Sequence, residues 1–451
     1  MTKDFIFPYT WHVKDDDDNC NIYIYGLGTN NENISVKVIG FTPYVYLELP
    51  SDHKWNEGTI NILNRKIDEL CGHDDERLCK RGCLCSRPVK KRMSYRKKLY
   101  FANVNKHDDE YKYKSFPFLM LSFSCQKFAK QFSYKARQLN GKYLPGIGNL
   151  KGFKVHEQDA KPELQLACIK DIPTAGWIQF KGEENIGDEN KETYCDKEYV
   201  VKWRHLAKYE REDIPKPRVL SFDIEVNSSD PNRMPNVMKP KDKVFQISCV
   251  MATQGDDNYD KYLLTLGEPD SEVVGEDCEI WQYKTEADLL DGFADFIVEK
   301  NPQLIIGYNI LGFDIPYMID RADSESCLCS EFRKFGCRIG IHAENKTIKW
   351  SSSAYGTQEF QFLDAEGRLF VDLLPLIKRD YKFDNYKLKT VSEFFLGETK
   401  DPLTAKGIFK CYRIGMTKKD GEFTKKAQKA MGIVGKYCVQ DSALVLKLFD
   451  T

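Results

Sequence analysis

Two acidic side chains interrupt the apolar run LSFDIEV at residues 220–226. Because a strand alternates its faces, Asp223 and Glu225 point to the same side, and the apolar residues beside them point to the other. Paired carboxylates on a buried strand repel each other and lose hydration, and a divalent cation such as Mg²⁺ or Mn²⁺ relieves that cost. Solvated acids on an exposed edge strand are the alternative, and this run alone does not separate the two interpretations.

Two later stretches carry further acids. In GYNILGFD, residues 307–314, a buried strand ends at Asn309 and Asp314 opens the next helix, where helix capping is the alternative role. In YCVQD, residues 437–441, Tyr437 and Asp441 share one face of a helix, where a salt bridge or a surface hydroxyl is the alternative. Each stretch alone is a weak signal, but their order within one α/β pattern indicates a single site.

The hydrophobic pattern around these stretches predicts the elements that must position them. Strands are expected at 219–226, 243–252, 261–266 and 303–309, and helices at 285–301, 315–322, 387–397 and 427–449. A strand leads into a helix at 367–381, and a hairpin with a polar tip spans 338–363. Strands mixed with helices in this way indicate an α/β domain.

The first part of the chain has a different pattern. Runs of β-branched and aromatic residues, separated by Asn and Gly, predict strands within residues 1–50. The elements expected after them are a helix at 56–71, a strand leading into a helix at 116–140, and strand-like pieces at 164–180 and 198–203. The Pro- and charge-rich stretch at 210–218 marks a boundary. We therefore expect a β-rich domain over 1–213, with a Cys-rich and basic insertion near 71–115, followed by an α/β domain over 214–451.

Composition narrows the class of protein. The 451 residues have a net charge of −1, which predicts no bulk attraction to polyanions, so a nucleic-acid site must be a local basic patch. The first residues show no basic stretch followed by an apolar one, and no apolar run approaches membrane-spanning length. Fifteen cysteines, an odd number without a secretory signal, are expected to be reduced thiols in a soluble intracellular protein without a membrane partner.

The acidic stretches resemble a known family. FDIE, YNILGFD and YCVQD are similar to the three exonuclease motifs of the family B DNA polymerases. The segment at 367–398 resembles the region between the second and third motifs in delta-type polymerases. FTPYVYLELP (41–50) and IKDIPTAGWIQFKG (169–182) resemble the N-terminal domain of delta-type enzymes of large DNA viruses, whereas 71–115 fits poorly. The resemblance implies a ribonuclease-H-like α/β exonuclease domain preceded by the β-rich domain.

The resemblance also implies roles for particular residues. The metal-binding carboxylates would be Asp223, Glu225, Asp314 and Asp441, holding two Mg²⁺ or Mn²⁺ ions that hydrolyse single-stranded or frayed DNA from its 3′ end. Tyr437 would orient the attacking water, because no histidine lies between 401 and 451 to serve as base.

Two more residues are implied as contacts to the DNA. Asn309 and Phe313 would hold or wedge the primer terminus. Core packing is an equal alternative for Phe313.

The sequence lacks the two signatures of a polymerase palm, a DxxSLYPS-like strand and a YGDTD-like turn. We therefore expect the N-terminal and proofreading part of a replicative polymerase, which should not polymerise alone. Its expected partners are the remaining polymerase domains, as a second chain or a missing C-terminal part, and a sliding clamp. The sequence does not distinguish a viral replication site from the nucleus. A catalytically idle DNA-binding or scaffolding module is the alternative, although all four acids and the tyrosine are present.

Four other features of the sequence need separate interpretation. Cys71, His73, Cys79, Cys83 and Cys85 lack the usual C-x₂-C spacing, which favours free thiols over zinc. The basic run at 87–98 is either a contact to a DNA backbone or a solvated insertion. Asp372 is expected to be a structural acid near the site. The hairpin with Trp350 and Tyr355 resembles one that separates primer from template in the family, and a surface hairpin is the alternative.

Overall fold

The structure, a computed structural model, describes residues 2–16, 19–72, 86–97, 115–185, 187–329, 331–352, 356–398 and 403–451. The chain forms two compact units. The first consists of Met1–Gly26, Ile34–Asn185 and Lys197–Glu212. The second consists of Asp213–Thr451 together with two short segments from the first half of the sequence, Leu27–Asn33 and Ile186–Asp196.

The largest sheet of the first unit follows the order β1-β2-β3-β11-β10-β12. Its strands are β1 (Thr2–Asp16), β2 (Asn19–Leu27), β3 (Asn33–Ile39), β10 (Ile178–Glu184), β11 (Lys197–Lys202) and β12 (Leu206–Lys208). Because β1 also pairs with β10, the sheet closes on itself. Ile22, Ile24, Val36 and Val38 pack inside it, as the alternation of β-branched residues predicts.

A second sheet of the first unit follows the order β5-β6-β4-β9. It is built from β4 (Tyr44–Glu48), β5 (Lys90–Lys97), β6 (Ser115–Ser122) and β9 (Lys154–His156), and the short hairpin of β7 (Tyr143–Leu144) and β8 (Gly148–Asn149) precedes β9. Two helices, α1 (Glu57–Cys71) and α2 (Gln126–Ala136), cover one face of this sheet. Leu63 and Phe132 from these helices pack against Leu47 and Leu119 of the strands.

The central sheet of the second unit follows the order β16-β15-β14-β13-β17-β20. Its strands are β13 (Arg218–Val226), β14 (Val244–Thr253), β15 (Asp260–Leu266), β16 (Cys278–Tyr283), β17 (Leu304–Gly307) and β20 (Leu369–Asp372). β13 lies in the middle, antiparallel to β14 and parallel to β17. The short helix α4 (Ser271–Val274) links β15 and β16, and the hairpin of β18 (Glu344–Ser352) and β19 (Gly356–Asp364) precedes β20.

Helices cover both faces of this sheet. Phe222 and Ile224 of β13 pack with Phe293 of α5 (Glu286–Lys300), whereas Val219 packs with Val439 of α10 (Lys425–Asp450) on the opposite face. The remaining helices are α6 (Asp314–Ala322), α7 (Leu373–Asp380), α8 (Leu388–Leu396) and α9 (Ala405–Gly415). A small hairpin, β21 (Lys418–Lys419) with β22 (Glu422–Phe423), leads into α10.

A buried ion pair joins α5 to α6. Arg321 is fully buried and Glu286 is 3% exposed. The Nε atom of Arg321 lies 3.0 Å from Oε1 of Glu286, and a second bond joins Nη2 to Oε2. The guanidinium also donates to the carbonyl of Val237 at 2.7 Å, and Glu286 accepts from the backbone N–H of Val244 at 2.8 Å. The pair therefore fixes the loop that enters β14.

Two predictions about the first unit are wrong in detail. The first half of the stretch 164–180 is not a strand but the helix α3 (Pro162–Lys170). Pro162 suits the first turn of a helix, where no N–H bond is lost, and Asp171 ends the helix in a left-handed conformation. The basic run is not simply an insertion, since Lys90–Lys97 pairs along its length with β6. Residues 73–85 and 98–114 lie outside the described part of the chain.

Within the described residues, no helix combines the length and apolar character needed to span a bilayer.

Candidate functional site

Two strands of the second unit place the acidic pair. Asp223 lies opposite Ser248 of β14, and Glu225 lies opposite Gln246. The register shifts directly after Glu225, where the strand is irregular. Glu225 is buried and Asp223 is half-buried, so the two acids are not the solvated side chains of an exposed edge. β13 is a central strand, which excludes the edge-strand alternative.

Helix α10 is held tightly against the side of the sheet that carries the acids. Ser248 Oγ donates to the carbonyl of Cys438 at 2.9 Å and lies 2.6 Å from Ser442 Oγ, and Gln246 Nε2 donates to the carbonyl of Met431 at 3.1 Å. A Cβ atom at Gly435 would lie only 2.4 Å from Leu263 Cδ2. The absence of a side chain at this position lets the helix approach closely enough for Tyr437 and Asp441 to reach the pair.

The helix brings a thiol to the carboxylates. The ligand atoms of Asp223, Glu225 and Cys438 all lie within 4.8 Å of one another. The Cys438 thiol is 3.6 Å from the carbonyl oxygen of Asp223 and 4.0 Å from its Oδ2. Sequence reasoning missed Cys438, although its spacing of three residues from Asp441 places both on one helix face.

Burial and nearby negative charge keep the Tyr437 hydroxyl and the Cys438 thiol of α10 protonated. Burial raises the pKa of the Tyr437 hydroxyl, and the nearby charges of Asp441, Glu225 and Asp223 raise it further. Burial raises the pKa of the Cys438 thiol as well, again with Asp223 and Glu225 adding to the effect. Both groups therefore keep their protons at physiological pH. Asp441 is itself buried, at 5% exposure.

Asp314 lies beside the pair rather than inside the most compact cluster. It is the first residue of α6, and its Oδ1 accepts from the backbone N–H of Ile224, between Asp223 and Glu225, at 3.4 Å. Burial raises the pKa of Asp314 to about 7, and the charge of Asp372 adds to the rise, while backbone hydrogen bonds oppose it. A buried carboxylate with this environment gains from a nearby cation.

Asp372 has the structural role expected from the sequence. It caps helix α7 by accepting from the N–H of Leu374 at 3.0 Å. It also accepts from the N–H groups of Asn309 at 2.8 Å and Leu311 at 3.0 Å. These bonds position the turn that leads into Asp314.

The two residues expected to contact DNA lie in that turn. Asn309 is exposed and has a left-handed backbone, with φ of 68°. Its carbonyl accepts from the N–H groups of Gly312 and Phe313, both at 3.0 Å. The Phe313 ring is half-buried, 5.6 Å from the ring of Tyr317, and packs against the core. Phe313 therefore has the core contacts of its alternative role, and contact of either residue with DNA stays a prediction.

Several sequence candidates fall outside the described residues. His73, Cys79, Cys83 and Cys85 are among them, and Cys71 alone of the zinc candidates is described, as a buried cysteine outside any disulfide. Tyr355 and the side chain of Trp350 lie outside as well. The predictions of free thiols and of a primer-separating hairpin are therefore unchanged.

Comparison with known proteins assigns the family. The family model described as "DNA polymerase family B, exonuclease domain" matches residues 153–391, which is more than half of the chain. The chain belongs to the family B DNA polymerases. The prediction of this family from the three acidic stretches is confirmed.

Relatives extend the similarity over nearly all of this family B chain. It is 42% identical to DNA polymerase 120R of Invertebrate iridescent virus 3, over 98% of the chain and 38% of that protein. It is 29% identical to the DNA polymerase delta catalytic subunit of Plasmodium falciparum, over 100% of the chain and 39% of that protein. The chain thus spans well under half the length of these relatives.

A solved structure supports the fold. The family B DNA polymerase from Pyrobaculum calidifontis matches with a TM-score of 0.60 at 16% identity, over 98% of this chain and 45% of that one. The predicted fold class, an α/β exonuclease domain preceded by a β-rich region, is confirmed. Exonuclease domains of this family generally use divalent metals, which agrees with the buried carboxylates around β13.

Proposed function

We propose that the chain is the N-terminal and proofreading part of a DNA-directed DNA polymerase acting in DNA replication, and that it hydrolyses DNA from the 3′ end. The observation that carries this proposal is the approach of Tyr437 and Cys438 of α10 to Asp223 and Glu225 of β13, with the charge of Asp441 close enough to act on both donors. Clustered buried carboxylates are unfavourable without a cation, so their convergence supports a metal-dependent reaction.

The donor set fits hard divalent cations. Asp223, Glu225, Asp314 and Asp441 would hold two Mg²⁺ or Mn²⁺ ions, which prefer carboxylate oxygens. When bound, two such ions activate a water and stabilise the departing 3′ oxygen. Zinc as the resident metal fits less well, because protein zinc sites rely mainly on thiolate and imidazole ligands, whereas the described ligand cluster offers two carboxylates, one thiol and no imidazole.

Side chains of the protein would position the attacking water and the terminal base of the DNA. The protonated hydroxyl of Tyr437 would donate to or orient the attacking water beside the carboxylates. Asn309 and Phe313 would hold the last base of a single-stranded or frayed end, with the exposed edge of Phe313 against the base. The turn bonded to Asp372 would keep both residues next to Asp314.

A primer with a mismatched 3′ end tests the proposal. The purified chain is expected to shorten a 5′-labelled primer one nucleotide at a time in Mg²⁺ or Mn²⁺, and to leave it intact in EDTA. Labelling the 3′ end instead should release mononucleotides at once, which identifies the direction of attack. An intact primer under every metal condition would overturn the proposal of an active exonuclease.

The second candidate function is an idle DNA-binding or scaffolding module that needs the rest of the polymerase. The same experiment separates it from the first, because this module would bind the primer without shortening it. The buried acids and Tyr437 favour the active enzyme, since a binding surface has no need of converging carboxylates.

Replacing Tyr437 with Phe is expected to slow the hydrolysis of single-stranded DNA by about 10²- to 10³-fold, as expected for one positioned hydrogen bond in a transition state. The substitution removes only the hydroxyl and keeps the ring packing. Single-turnover rates at saturating DNA measure the change, and an unaltered melting temperature serves as the control. A rate within twofold of the original would contradict the role of the hydroxyl.

The relatives named above are DNA polymerases of which this chain matches about two fifths, and we extend from them the expected partners and location. The functional partners would be the remaining polymerase domains and a sliding clamp, at a viral replication site or in the nucleus. The proposed domain division remains 1–213 and 214–451, close to the larger segments of the two compact units.

A further inference from the structure

The turn that follows α6 carries two cysteines one residue apart. Cys327 and Cys329 are both half-buried and pack against the hydrophobic core of the second unit. The N–H of Cys327 donates to the carbonyl of Ser324 at 3.0 Å, and the N–H of Cys329 donates to the carbonyl of Ala322, the last residue of α6, at 2.9 Å. Backbone bonds at the end of the helix therefore fix the position of both cysteines.

Leu328, the residue between the two cysteines, bends the chain. Its backbone is left-handed, with φ of 50°, a conformation that leucine rarely adopts. A hydrogen bond joins the thiols of Cys327 and Cys329 across this bend. The Leu328 side chain is 71% exposed, so the bend lies at the surface, where a small molecule in solution reaches it. The two sulfurs are therefore adjacent to each other and partly accessible.

The surroundings of the two thiols make them chemically different. The Cys329 thiol donates to Oδ1 of Asp291 in α5 at 2.8 Å. Its bond with Cys327 raises the pKa of Cys329, and burial and the charge of Asp291 raise it further. The same bond lowers the pKa of Cys327, and the charge of Arg321 adds to the fall, against burial and the charges of Glu286 and Asp291. Redox-sensing cysteines have this arrangement, in which an accessible thiol of low pKa lies beside a second thiol that resolves it.

We propose that Cys327 and Cys329 form a redox-sensing dithiol, which a small disulfide of the glutathione type converts reversibly into an intramolecular disulfide. Cys327 is the attacking thiol and Cys329 is the resolving thiol. The site is separate from the exonuclease site, because neither cysteine belongs to the cluster around Asp223 and Glu225. Disulfides in a reducing cell interior are usually transient, and redox sensing is one of their roles.

The oxidation takes two steps. Cys327 loses its proton to solvent and its thiolate attacks one sulfur of the small disulfide, so that a mixed disulfide forms, the S–S bond of the reagent breaks and the first small thiolate leaves. The thiol of Cys329 then passes its proton to Asp291, 2.8 Å away, and attacks the sulfur of Cys327, which forms the intramolecular bond and expels the second small thiolate. The two protein thiols lose two electrons in total, and the reagent gains them as two thiols that take up the two protons.

Glutathione disulfide tests the proposal on the full, folded chain. After a timed exposure the remaining thiols are blocked with iodoacetamide, and trypsin releases residues 322–333 as one peptide that contains both cysteines and no other. This peptide is expected to become two hydrogens lighter, at least about threefold faster than the exposed Cys168 gains glutathione, because a lower pKa enlarges the thiolate fraction more than it reduces nucleophilicity. Dithiothreitol should reverse the change. An internal disulfide that is absent, or that forms no faster than Cys168 reacts, would overturn the proposal.

A second cysteine pair in the same unit is a matched control. A hydrogen bond also joins the thiols of Cys195 and Cys337, but both residues are at 0% exposure. Because the reagent does not reach them in the folded chain, both are expected to remain thiols, which iodoacetamide modifies only after unfolding in guanidinium chloride. Oxidation of this pair at the same rate as Cys327 and Cys329 would mean that the reagent acts on unfolded chains, and would overturn the proposal.

Two serine variants separate the roles of the thiols. Cys329→Ser is expected to stop at the mixed disulfide and to retain glutathione on Cys327, because the thiol of the second step is gone. Cys327→Ser should gain glutathione on Cys329 at least about tenfold more slowly, because the bond to Asp291 keeps that thiol protonated. Unaltered melting temperatures serve as the control for folding, and equal uptake by the two variants would overturn the assigned roles. These measurements do not use hydrolysis of DNA, so a failure here is distinguishable from a failure of the proposed exonuclease.

Discussion

Asp223→Ala is expected to abolish nearly all hydrolysis of single-stranded DNA, by about 10⁴-fold or more, as when one member of a catalytic unit is removed. Asp223 is at the centre of the site, within 4.8 Å of both Glu225 and the Cys438 thiol. Its loss would remove a ligand on which both proposed metal ions depend. Single-turnover trimming of a 3′-mismatched primer in Mg²⁺ measures the effect.

Two controls make this result specific. Asp260→Ala removes an exposed carboxylate from β15 of the same sheet and should leave the trimming rate unaltered. Binding of single-stranded DNA in EDTA should survive Asp223→Ala, because backbone contacts and base stacking need no metal. Equal digestion by wild type and Asp223→Ala would point to a contaminating nuclease and would give the proposed site no support.

Glu286→Ala is expected to lower the free energy of unfolding of the second unit by about 3–5 kcal/mol, the usual loss when one partner of a buried ion pair is removed. The change leaves the guanidinium of Arg321 fully buried with only carbonyl partners, at Val237 and Lys239. It also removes the acceptor of the Val244 N–H. Hydrogen exchange of the β14 amides reads the stability of this unit without interference from the first.

A surface pair and a double variant complete this test. Asp277→Ala breaks the exposed pair with Lys261 and should change stability by less than about 1 kcal/mol. Glu286→Leu combined with Arg321→Met replaces both charges with apolar groups and should recover much of the loss. If Glu286→Ala lowered the free energy of unfolding no more than Asp277→Ala, the buried ion pair would not contribute to the packing of α5 with α6.

The strand and the helix that carry the acids of the site were predictable from the sequence because both are strongly patterned. Asp223 and Glu225 interrupt an apolar run, and Tyr437 and Asp441 keep helical spacing within a long amphipathic helix. The proximity of Cys438 to the pair was not predictable in the same way. It depends on how closely α10 approaches the sheet, which is set by the lack of a side chain at Gly435 and by the bonds from Ser248.

The secondary structure was predicted wrongly where the local sequence pattern favours one conformation and the tertiary contacts favour another. The run Lys90–Lys97 is too charged to look like a strand, but its backbone pairs along its whole length with β6. The segment Pro162–Lys170 looks like a strand because Leu164 and Leu166 flank a polar residue in alternation, yet a proline start and a left-handed end make it a helix. Neither stretch contains a local sequence signal for the strand or the packing partner that determines its conformation.

The short segment Ile186–Asp196 bears on how the protein is made. It belongs to the second unit, where the N–H of Tyr194 donates to the carbonyl of Cys337 at 2.7 Å and Asn301 Nδ2 donates to the carbonyl of Tyr194 at 2.8 Å. A ribosome synthesises this segment more than a hundred residues before the strands and turns that bond to it. The second unit therefore completes its folding only after residues 301 and 337 have been synthesised, and an expression fragment that begins at residue 214 would lack part of its own structure.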